Sequence, residues 1–173
     1  MRSGILVMGL NGCGKTTVGR ALSEAMHFRR MDVEDYYFPD QTTPYAVSRT
    51  REEVTRMLIA DIQAYPNFVL SSVGCDWGSE ITGALRLAVL LYAPVQIRMA
   101  RIEQREQRRF GARILPGGDM YLSQQQFHAM AAARQHGPLE EQAARLECPV
   151  LRIDALRPIG EIVRQIYAYY MRL

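Results

Sequence analysis

Short apolar runs alternate along the chain with segments in which apolar residues recur every three or four positions. The runs that favour β-strands are Ile5–Met8, Phe28–Val33, Asn67–Val73, Leu87–Tyr92 and Val150–Asp154. The second run is weak, whereas the others are almost continuously apolar, which is typical of strands buried on both faces. Strands of this kind alternating with helices predict an α/β fold in three layers, with a parallel sheet between two helical layers.

Capping residues and prolines mark where the helices should begin. The first helix is predicted over Thr16–Met26, because Val18, Ala21, Leu22 and Ala25 fall on one of its faces. Further helix starts are predicted at two capping-box spacings, Thr50/Glu53 and Ser123/Gln126, and at three prolines, Pro94, Pro138 and Pro158.

The composition is that of an ordinary globular chain. Its 173 residues are 48% hydrophobic and 23% charged, which predicts a single domain over residues 1–173. No apolar run approaches the roughly 20 residues that a membrane-spanning helix needs. The first apolar stretch leads straight into a glycine-rich loop, so no signal peptide is expected. Cys13, Cys75 and Cys148 have neither metal-binding spacing nor even pairing, which favours reduced thiols and a cytoplasmic location.

The positive charge of the chain is almost entirely arginine. The net charge is +3, and Lys15 is the only lysine. The arginines cluster in one stretch and no aromatic residues alternate with them, so the pattern does not favour nucleic acid as the main partner. Arginine also suits bidentate binding of phosphate and carboxylate groups.

The glycine-rich loop, Gly9–Thr16, has the spacing of a phosphate-binding loop. In this pattern glycines let successive N–H groups turn toward the β-phosphate, Lys15 reaches the β- and γ-phosphate oxygens, and the Thr16 hydroxyl ligates Mg²⁺. The predicted strand before the loop and the predicted helix after it are the context that the motif requires. The candidate nucleotide-binding residues are Gly9, Asn11, Gly12, Cys13, Gly14, Lys15, Thr16 and Thr17. The helix N-terminus beside Cys13 should lower the pKa of its thiol.

Acidic residues follow the second predicted strand. Asp32 and Glu34 should point to the same side if the segment is extended, and Asp35 follows them. One carboxylate could orient Mg²⁺, for which Asp32 is the candidate, and one could accept a proton from an attacking hydroxyl group. The alternative is a solvated acidic turn.

An arginine stripe marks the helix that begins at Pro94. Its members are Arg98, Arg101, Arg105, Arg108 and Arg109, followed by Arg113 in a glycine-containing segment. We interpret the segment from about residue 98 to about residue 122 as a lid whose arginines neutralise a transferred phosphoryl group. The candidates for this role are Arg101, Arg105 and Arg109. The alternative is a solvated helix face on which Glu103 and Glu106 pair with the arginines.

The candidate acceptor-binding region extends from about residue 32 to about residue 65. Arg49 and Arg51 could hold an anionic group of an acceptor there, or could simply be surface charge. Four aromatic residues, Tyr36, Tyr37, Tyr45 and Trp77, could line the acceptor pocket, although aromatic packing is the more usual role.

Taken together, these motifs resemble those of the small P-loop kinases of the shikimate, gluconate and adenylate kinase type. The glycine-rich loop is the specific match, and the segment around Asp32 and Glu34 is similar to the Asp-x-Asp of the second strand in those kinases. The resemblance implies a five-stranded parallel sheet in the order 2-3-1-4-5, ATP and Mg²⁺ as cosubstrate and cofactor, and phosphorylation of a small molecule. It also implies that the segment at Asp154–Pro158 packs on adenine, with Arg157 as a stacking partner.

Two departures from these relatives leave the acceptor open. The Gly-Gly-Gly that follows the third strand in shikimate kinases is here Ser71-Ser72-Val73-Gly74, and the arginine pattern of nucleoside monophosphate kinases is not clearly present. A small-molecule kinase is the main hypothesis. The alternatives are an ATP-binding regulatory switch without an acceptor and a kinase that acts on nucleic-acid ends.

Overall fold

The computed structural model describes residues 3–39 and 47–173. Part of the predicted acceptor-binding region, residues 40–46, therefore lies outside the described residues. This part includes Tyr45. The other predicted site residues are all within the described part of the chain.

A five-stranded parallel sheet forms the centre of the fold. The strands are β1 (Gly4–Gly9), β2 (Arg29–Asp32), β3 (Phe68–Ser72), β4 (Leu85–Tyr92) and β5 (Val150–Asp154). Their order across the sheet is β2-β3-β1-β4-β5, and every neighbouring pair is parallel. The predicted fold class and strand order are both confirmed.

Helices connect the strands in the alternation that the sequence predicts. They are α1 (Lys15–Met26), α2 (Val33–Tyr37), α3 (Arg51–Ala64), α4 (Ser79–Thr82), α5 (Val95–Phe110), α6 (Tyr121–Ala133), α7 (Gly137–Ala143) and α8 (Ile159–Tyr170), with a 3₁₀ turn at Gly111–Ile114. Helix α1 packs against β1, β2, β3 and α8. All six residues of β1 and all five of β3 are buried. Because successive strand residues point to opposite faces, both faces of the sheet are covered.

Local capping agrees with the prediction at one site and differs at another. Thr50 and Glu53 form both hydrogen bonds of a capping box at the start of α3. The capping box predicted at Ser123 is wrong, because α6 begins at Tyr121 and the Ser123 hydroxyl donates to the Met120 carbonyl at 2.9 Å.

The segment after β2 also differs from its prediction. The strand ends at Asp32, and Val33–Tyr37 forms the short helix α2. Asp32 caps this helix by accepting a hydrogen bond from the Glu34 N–H at 3.1 Å. Asp32 and Glu34 therefore do not alternate along a strand, because an Asp at this position satisfies an otherwise unpaired N–H of the first helical turn.

Parallel strands all end at the same edge of the sheet. The residues Asp32 and Ser71 are paired in register at the ends of β2 and β3, and Met8 and Ser72 are paired at the ends of β1 and β3. The phosphate-binding loop and the acidic end of β2 therefore lie at the same edge, which is where such sheets bind ligands. Within the described ranges, no helix is long and apolar enough to cross a membrane.

The capping box of α3 provides a test of the local structure. Replacing Thr50 with Ala removes the acceptor of the Glu53 N–H, so we expect the free energy of unfolding to fall by about 1 kcal/mol. Urea denaturation followed by circular dichroism measures this value. Thr55→Ala, whose hydroxyl bonds within α3 to the Arg51 carbonyl, is the matched control and should change stability much less.

The same box should respond to acid in a defined direction. Hydrogen bonds from Thr50 lower the pKa of Glu53, so the stabilisation is present above the unfolded pKa of about 4.3 and is lost as the pH falls through the lower pKa of the folded state. A difference between Thr50→Ala and wild type that stayed constant down to acid pH would contradict this account.

Candidate active site

The backbone of the glycine-rich loop has the shape that a phosphate requires. Gly12 and Gly14 have φ angles of 83° and 96°, a region that residues with a Cβ rarely adopt. No side chain caps the N-terminus of α1, and no acidic residue lies in its first turn. The positive end of the helix dipole thus lies open to an anion, as the sequence predicts.

Lys15 is held within this loop. Its Nζ donates to the Leu10 carbonyl at 3.3 Å. Burial lowers the pKa of Lys15, while the nearby Cys13 thiol and the carboxylates of Glu34 and Asp32 act in the opposite direction. A phosphate bound here would add negative charge and favour the ammonium form. The carboxylates and the lysine predicted from the sequence are thus electrostatic neighbours.

The prediction for Cys13 is wrong in its direction. The thiol is buried, and burial raises its pKa although Lys15 and Arg98 act to lower it. The helix terminus and the two cations do not compensate for the loss of hydration, because burial disfavours the thiolate. Cys13 therefore contributes to the loop through its backbone and its packing rather than as a reactive thiol.

Asp32 is a buried carboxylate with one oxygen available. Its Oδ1 caps α2, whereas its Oδ2 is buried and has no hydrogen-bond partner among the described residues. Arg30 Nη2 lies 3.8 Å from that oxygen, and it also pairs with Asp35 at 3.0 Å. An oxygen without a hydrogen bond at this edge of the sheet is suited to a metal-bound water or to an acceptor hydroxyl group. Glu34 is exposed in the first turn of α2.

Two arginines of the stripe, Arg98 and Arg101, bind the backbone carbonyl groups of the glycine-rich loop. Arg98 is only 2% exposed. Its Nη1 donates to the Asn11 carbonyl at 3.1 Å and to the Ala131 carbonyl at 3.2 Å. Arg101 Nη1 approaches the carbonyl oxygens of Gly12 and Cys13 at 3.5 and 3.4 Å. These side chains thus bond to loop carbonyls, a role that the sequence did not indicate for either of them.

The approach of α5 to the loop is close. A Cβ on Gly12 would collide with the backbone carbonyl of Arg98. Gly12 is therefore required both by its backbone angles and by the helix that lies against it.

Arg105 and Arg109 lie further along α5, and Arg113 lies in the 3₁₀ turn that follows it. Arg105 forms an ion pair with Glu106, at 2.7 Å between Nη2 and Oε1. The Arg109 guanidinium lies 5.1 Å from the centre of the Phe110 ring, and Arg113 forms a bidentate pair with Asp119. Contact of Arg101, Arg105 or Arg109 with a transferred phosphoryl group stays a prediction.

Arg51, at the start of α3, lies beside an aromatic residue of the segment that follows β3. Its guanidinium is 5.2 Å from the centre of the Trp77 ring, and its Nη2 is 3.2 Å from the Asp76 carboxylate. Trp77 Nε1 donates to the Ser72 hydroxyl at 3.0 Å, and the Tyr37 and Trp77 rings are 6.3 Å apart. Arg51 and Trp77 are thus brought together with the ends of the central strands.

Arg49 and Tyr36 have structural contacts. Arg49 Nη1 donates to the Tyr36 carbonyl at 2.8 Å, which joins α2 to the segment before α3. The Tyr36 hydroxyl donates to the Asp61 carboxylate, and burial together with this bond raises the pKa of Tyr36. Arg49 as an acceptor ligand stays a prediction.

The predicted adenine segment is joined to the loop by Arg101. Its Nη2 donates to the Ala155 carbonyl at 2.9 Å. Arg157 is exposed and lies just before α8, and it bonds to two residues of that helix, Gln165 at 2.7 Å and Glu161 at 3.2 Å. Stacking of Arg157 on adenine stays a prediction.

Sequence reasoning missed Arg134, which follows α6. Its Nη1 donates to the Asn11 side-chain oxygen at 2.7 Å, so an exposed cation at the C-terminal end of α6 reaches the phosphate-binding loop. It also missed Ser71, whose hydroxyl donates to the Lys15 carbonyl at 3.3 Å. Neither residue belongs to a local motif, and only the packing of α6 and β3 brings them to the loop.

The candidate ligands for a cation in this cleft are few. Within residues 3–39 and 47–173, no three His, Cys, Asp or Glu side chains are grouped as a metal site. A Mg²⁺ ion that arrives with a nucleotide takes only one or two protein ligands. Thr16 and the unpaired oxygen of Asp32 have the oxygen chemistry that such an ion prefers.

Comparison with known proteins agrees with this geometry. A family model described as AAA domain matches residues 5–115. The chain is 29% identical over 177 residues to the Uncharacterized protein YqaC of Bacillus subtilis (strain 168), and the match covers 98% of each chain.

Solved structures share the fold over nearly the whole chain. A shikimate kinase from Bacteroides thetaiotaomicron is 18% identical, with a TM-score of 0.62 and 99% of each chain covered. A gluconokinase from Sinorhizobium meliloti 1021 is 19% identical, with a TM-score of 0.59 over 99% of this chain and 93% of its own. The fold is that of the P-loop kinases of the shikimate and gluconate type, as the loop motif indicates.

Replacing the buried Arg98 tests whether its hydrogen bonds stabilise the glycine-rich loop. Arg98→Met leaves the carbonyls of Asn11 and Ala131 without their donor, so we expect the free energy of unfolding to fall by about 2 kcal/mol. We also expect weaker ATP binding, because the loop loses its attachment to α6. Urea denaturation and isothermal titration calorimetry measure the two effects. Arg164→Met, at an exposed position of α8, is the control, and equal losses in both variants would contradict the role of Arg98.

Proposed function

This chain belongs to the AAA domain family, and we propose that it is an ATP-dependent phosphotransferase that transfers the γ-phosphoryl group of ATP to a hydroxyl group of a small molecule. We further propose that residues 1–173 act as one domain, with an acceptor-binding region at about 32–65 and a lid at about 98–122. The observation that carries the proposal is Asp32, a buried carboxylate with an oxygen that has no hydrogen bond, at the same edge of the sheet as the phosphate-binding loop.

The loop residues would bind the triphosphate. The N–H groups between Gly9 and Thr16 and the Lys15 ammonium would hold the β- and γ-phosphates. Mg²⁺, which would be bound by Thr16 and the phosphates and oriented by Asp32, supplies neutralisation of the developing negative charge. Arg157, Asn11 and Thr17 are proposed to contact the remainder of the nucleotide.

Asp32 or Glu34 would accept the proton of the attacking hydroxyl group. Asp32 is the stronger candidate because its free oxygen is already oriented by the bond of the other oxygen to α2. Positive charge for the transferred group would come from Arg101, Arg105 or Arg109. Arg49 and Arg51 would face the acceptor. The similarity of the fold to a shikimate kinase and a gluconokinase supports an acceptor such as shikimate or gluconate, with a nucleoside or nucleotide as a further class.

A coupled assay of ADP release tests the proposed activity. We expect Mg²⁺-ATP to be consumed much faster with one acceptor in a panel of shikimate, gluconate, nucleosides, nucleoside monophosphates and aminoglycosides than without any acceptor. Lys15→Met should reduce the rate by at least about 100-fold, or about 2.7 kcal/mol of transition-state stabilisation, with an unchanged circular dichroism spectrum. A slow rate that no acceptor increases would contradict the kinase proposal and favour a nucleotide switch.

The role of Asp32 is tested by an isosteric change. Asp32→Asn keeps an oxygen that can cap α2 but removes the charge and the proton acceptor, so we expect kcat to fall by about 100-fold or more while ATP still binds. Asp35→Asn, at an exposed carboxylate paired with Arg30, is the matched control. If both variants kept the wild-type kcat, Asp32 would not be the base.

A further inference from the structure

Helix α5 buries a carboxylate as well as a guanidinium. The buried residues of this helix are Arg98, Ile102, Glu106 and Phe110, which recur at every fourth position and therefore form one face. The Glu106 side chain is only 1% exposed. A buried carboxylate is costly unless it is paired and hydrogen-bonded, so its partner needs to be identified.

The partner is the preceding residue, Arg105. Its Nε donates to Glu106 Oε1 at 2.8 Å, and its Nη2 lies 2.7 Å from the same oxygen. Consecutive residues on a helix point about 100° apart, so the arginine turns back across the helix to reach the buried oxygen. The Arg105 side chain remains 42% exposed. The carboxylate thus holds the Nε–Nη2 edge of the guanidinium of a side chain that is still partly open to solvent.

Arg105 lies on the side of α5 that contacts the phosphate-binding loop. Arg101, one helical turn before it, reaches the carbonyls of Gly12 and Cys13. The positive charge of Arg105 is also close enough to Lys15 to lower the pKa of that lysine. Arg105 therefore continues the line of cations from the loop toward the region where the terminal phosphate would lie.

We propose that Glu106 is a positioning residue that orients the Arg105 guanidinium toward the transferred phosphoryl group. This inference rests on the proposed kinase function. The arginine has five N–H donors, and the Nε hydrogen bond and the Nη2 ion pair with Glu106 leave at least the two N–H groups of Nη1 for phosphoryl oxygens. Because the guanidinium is oriented before the nucleotide binds, less conformational entropy is lost when the phosphoryl contact forms.

A purely structural role makes a different prediction. Replacing both members of a buried ion pair with apolar residues of similar volume is often neutral or stabilising, and when Glu106 alone is replaced the Arg105 guanidinium, whose side chain is 42% exposed, can be hydrated instead. The function requires it only if the direction of Arg105 matters. Stability and catalysis should therefore change independently when Glu106 is replaced.

The test is a double-mutant cycle on kcat, measured with the acceptor identified in the panel. The variants are Glu106→Leu, Glu106→Gln, Arg105→Met and the double variant Arg105→Met/Glu106→Leu. We expect Glu106→Leu to lower kcat by about tenfold or more with a smaller change in KM for ATP. Glu106→Gln, which keeps the acceptor oxygen, should recover part of the loss, and Glu106→Leu should have no further effect when Arg105 is already Met. Glu103→Gln, at an exposed position of the same helix, is the matched control.

The outcomes distinguish the positioning role of Glu106 from the proposed kinase function. A Glu106→Leu variant with the wild-type kcat would overturn the positioning role and leave the proposed function intact. An equal loss of kcat by Glu106→Leu in the presence and absence of Arg105 would also overturn it, because Glu106 would then not act through the arginine. Failure of the wild-type protein to phosphorylate any acceptor would overturn both the proposed function and this inference.

Discussion

A loop that turns its N–H groups toward an anion must direct its carbonyl oxygens elsewhere, and the rest of this structure depends on how those oxygens are bonded. Cationic side chains donate to all four carbonyls between Leu10 and Cys13. Lys15 bonds to Leu10, Arg98 to Asn11, and Arg101 to Gly12 and Cys13. The loop shape is therefore maintained by positive charge on its outer side as well as by its glycines. That charge also favours an anion on the inner side.

This arrangement attaches the arginine-rich helix α5 directly to the glycine-rich loop. Two of its arginines bond to the loop, and Arg101 also bonds to Ala155, which connects the loop to the segment after β5. Arg98 further connects the loop to the end of α6 through the Ala131 carbonyl. The buried face of α5 therefore includes a guanidinium, that of Arg98, which holds two neighbouring elements by hydrogen bonds.

The opposite side of the cleft is arranged by the parallel sheet. Asp32, Ser71 and Ser72 lie at the ends of adjacent strands, and each uses one polar atom to hold a neighbouring element. Ser71 bonds to the Lys15 carbonyl, Ser72 accepts from Trp77, and Asp32 caps α2. Only Asp32 has a buried oxygen without a hydrogen bond among the described residues of this edge. A negative charge with a free lone pair opposite a cluster of cations is the chemical basis of the proposed transfer.

Much of this protein follows from its sequence alone. The alternation of apolar runs with helical patterns determined the α/β class, and the spacing from Gly9 to Thr16 determined the phosphate-binding loop, because both depend on local periodicity and backbone angles. The strand order followed from the resemblance to small kinases. Tertiary structure decided which arginines bond to the loop, that Glu34 lies in a helix rather than a strand, that burial raises the pKa of Cys13, and that Arg134 meets Asn11. These features depend on the distances between residues far apart in the chain, which hydrophobic periodicity does not encode.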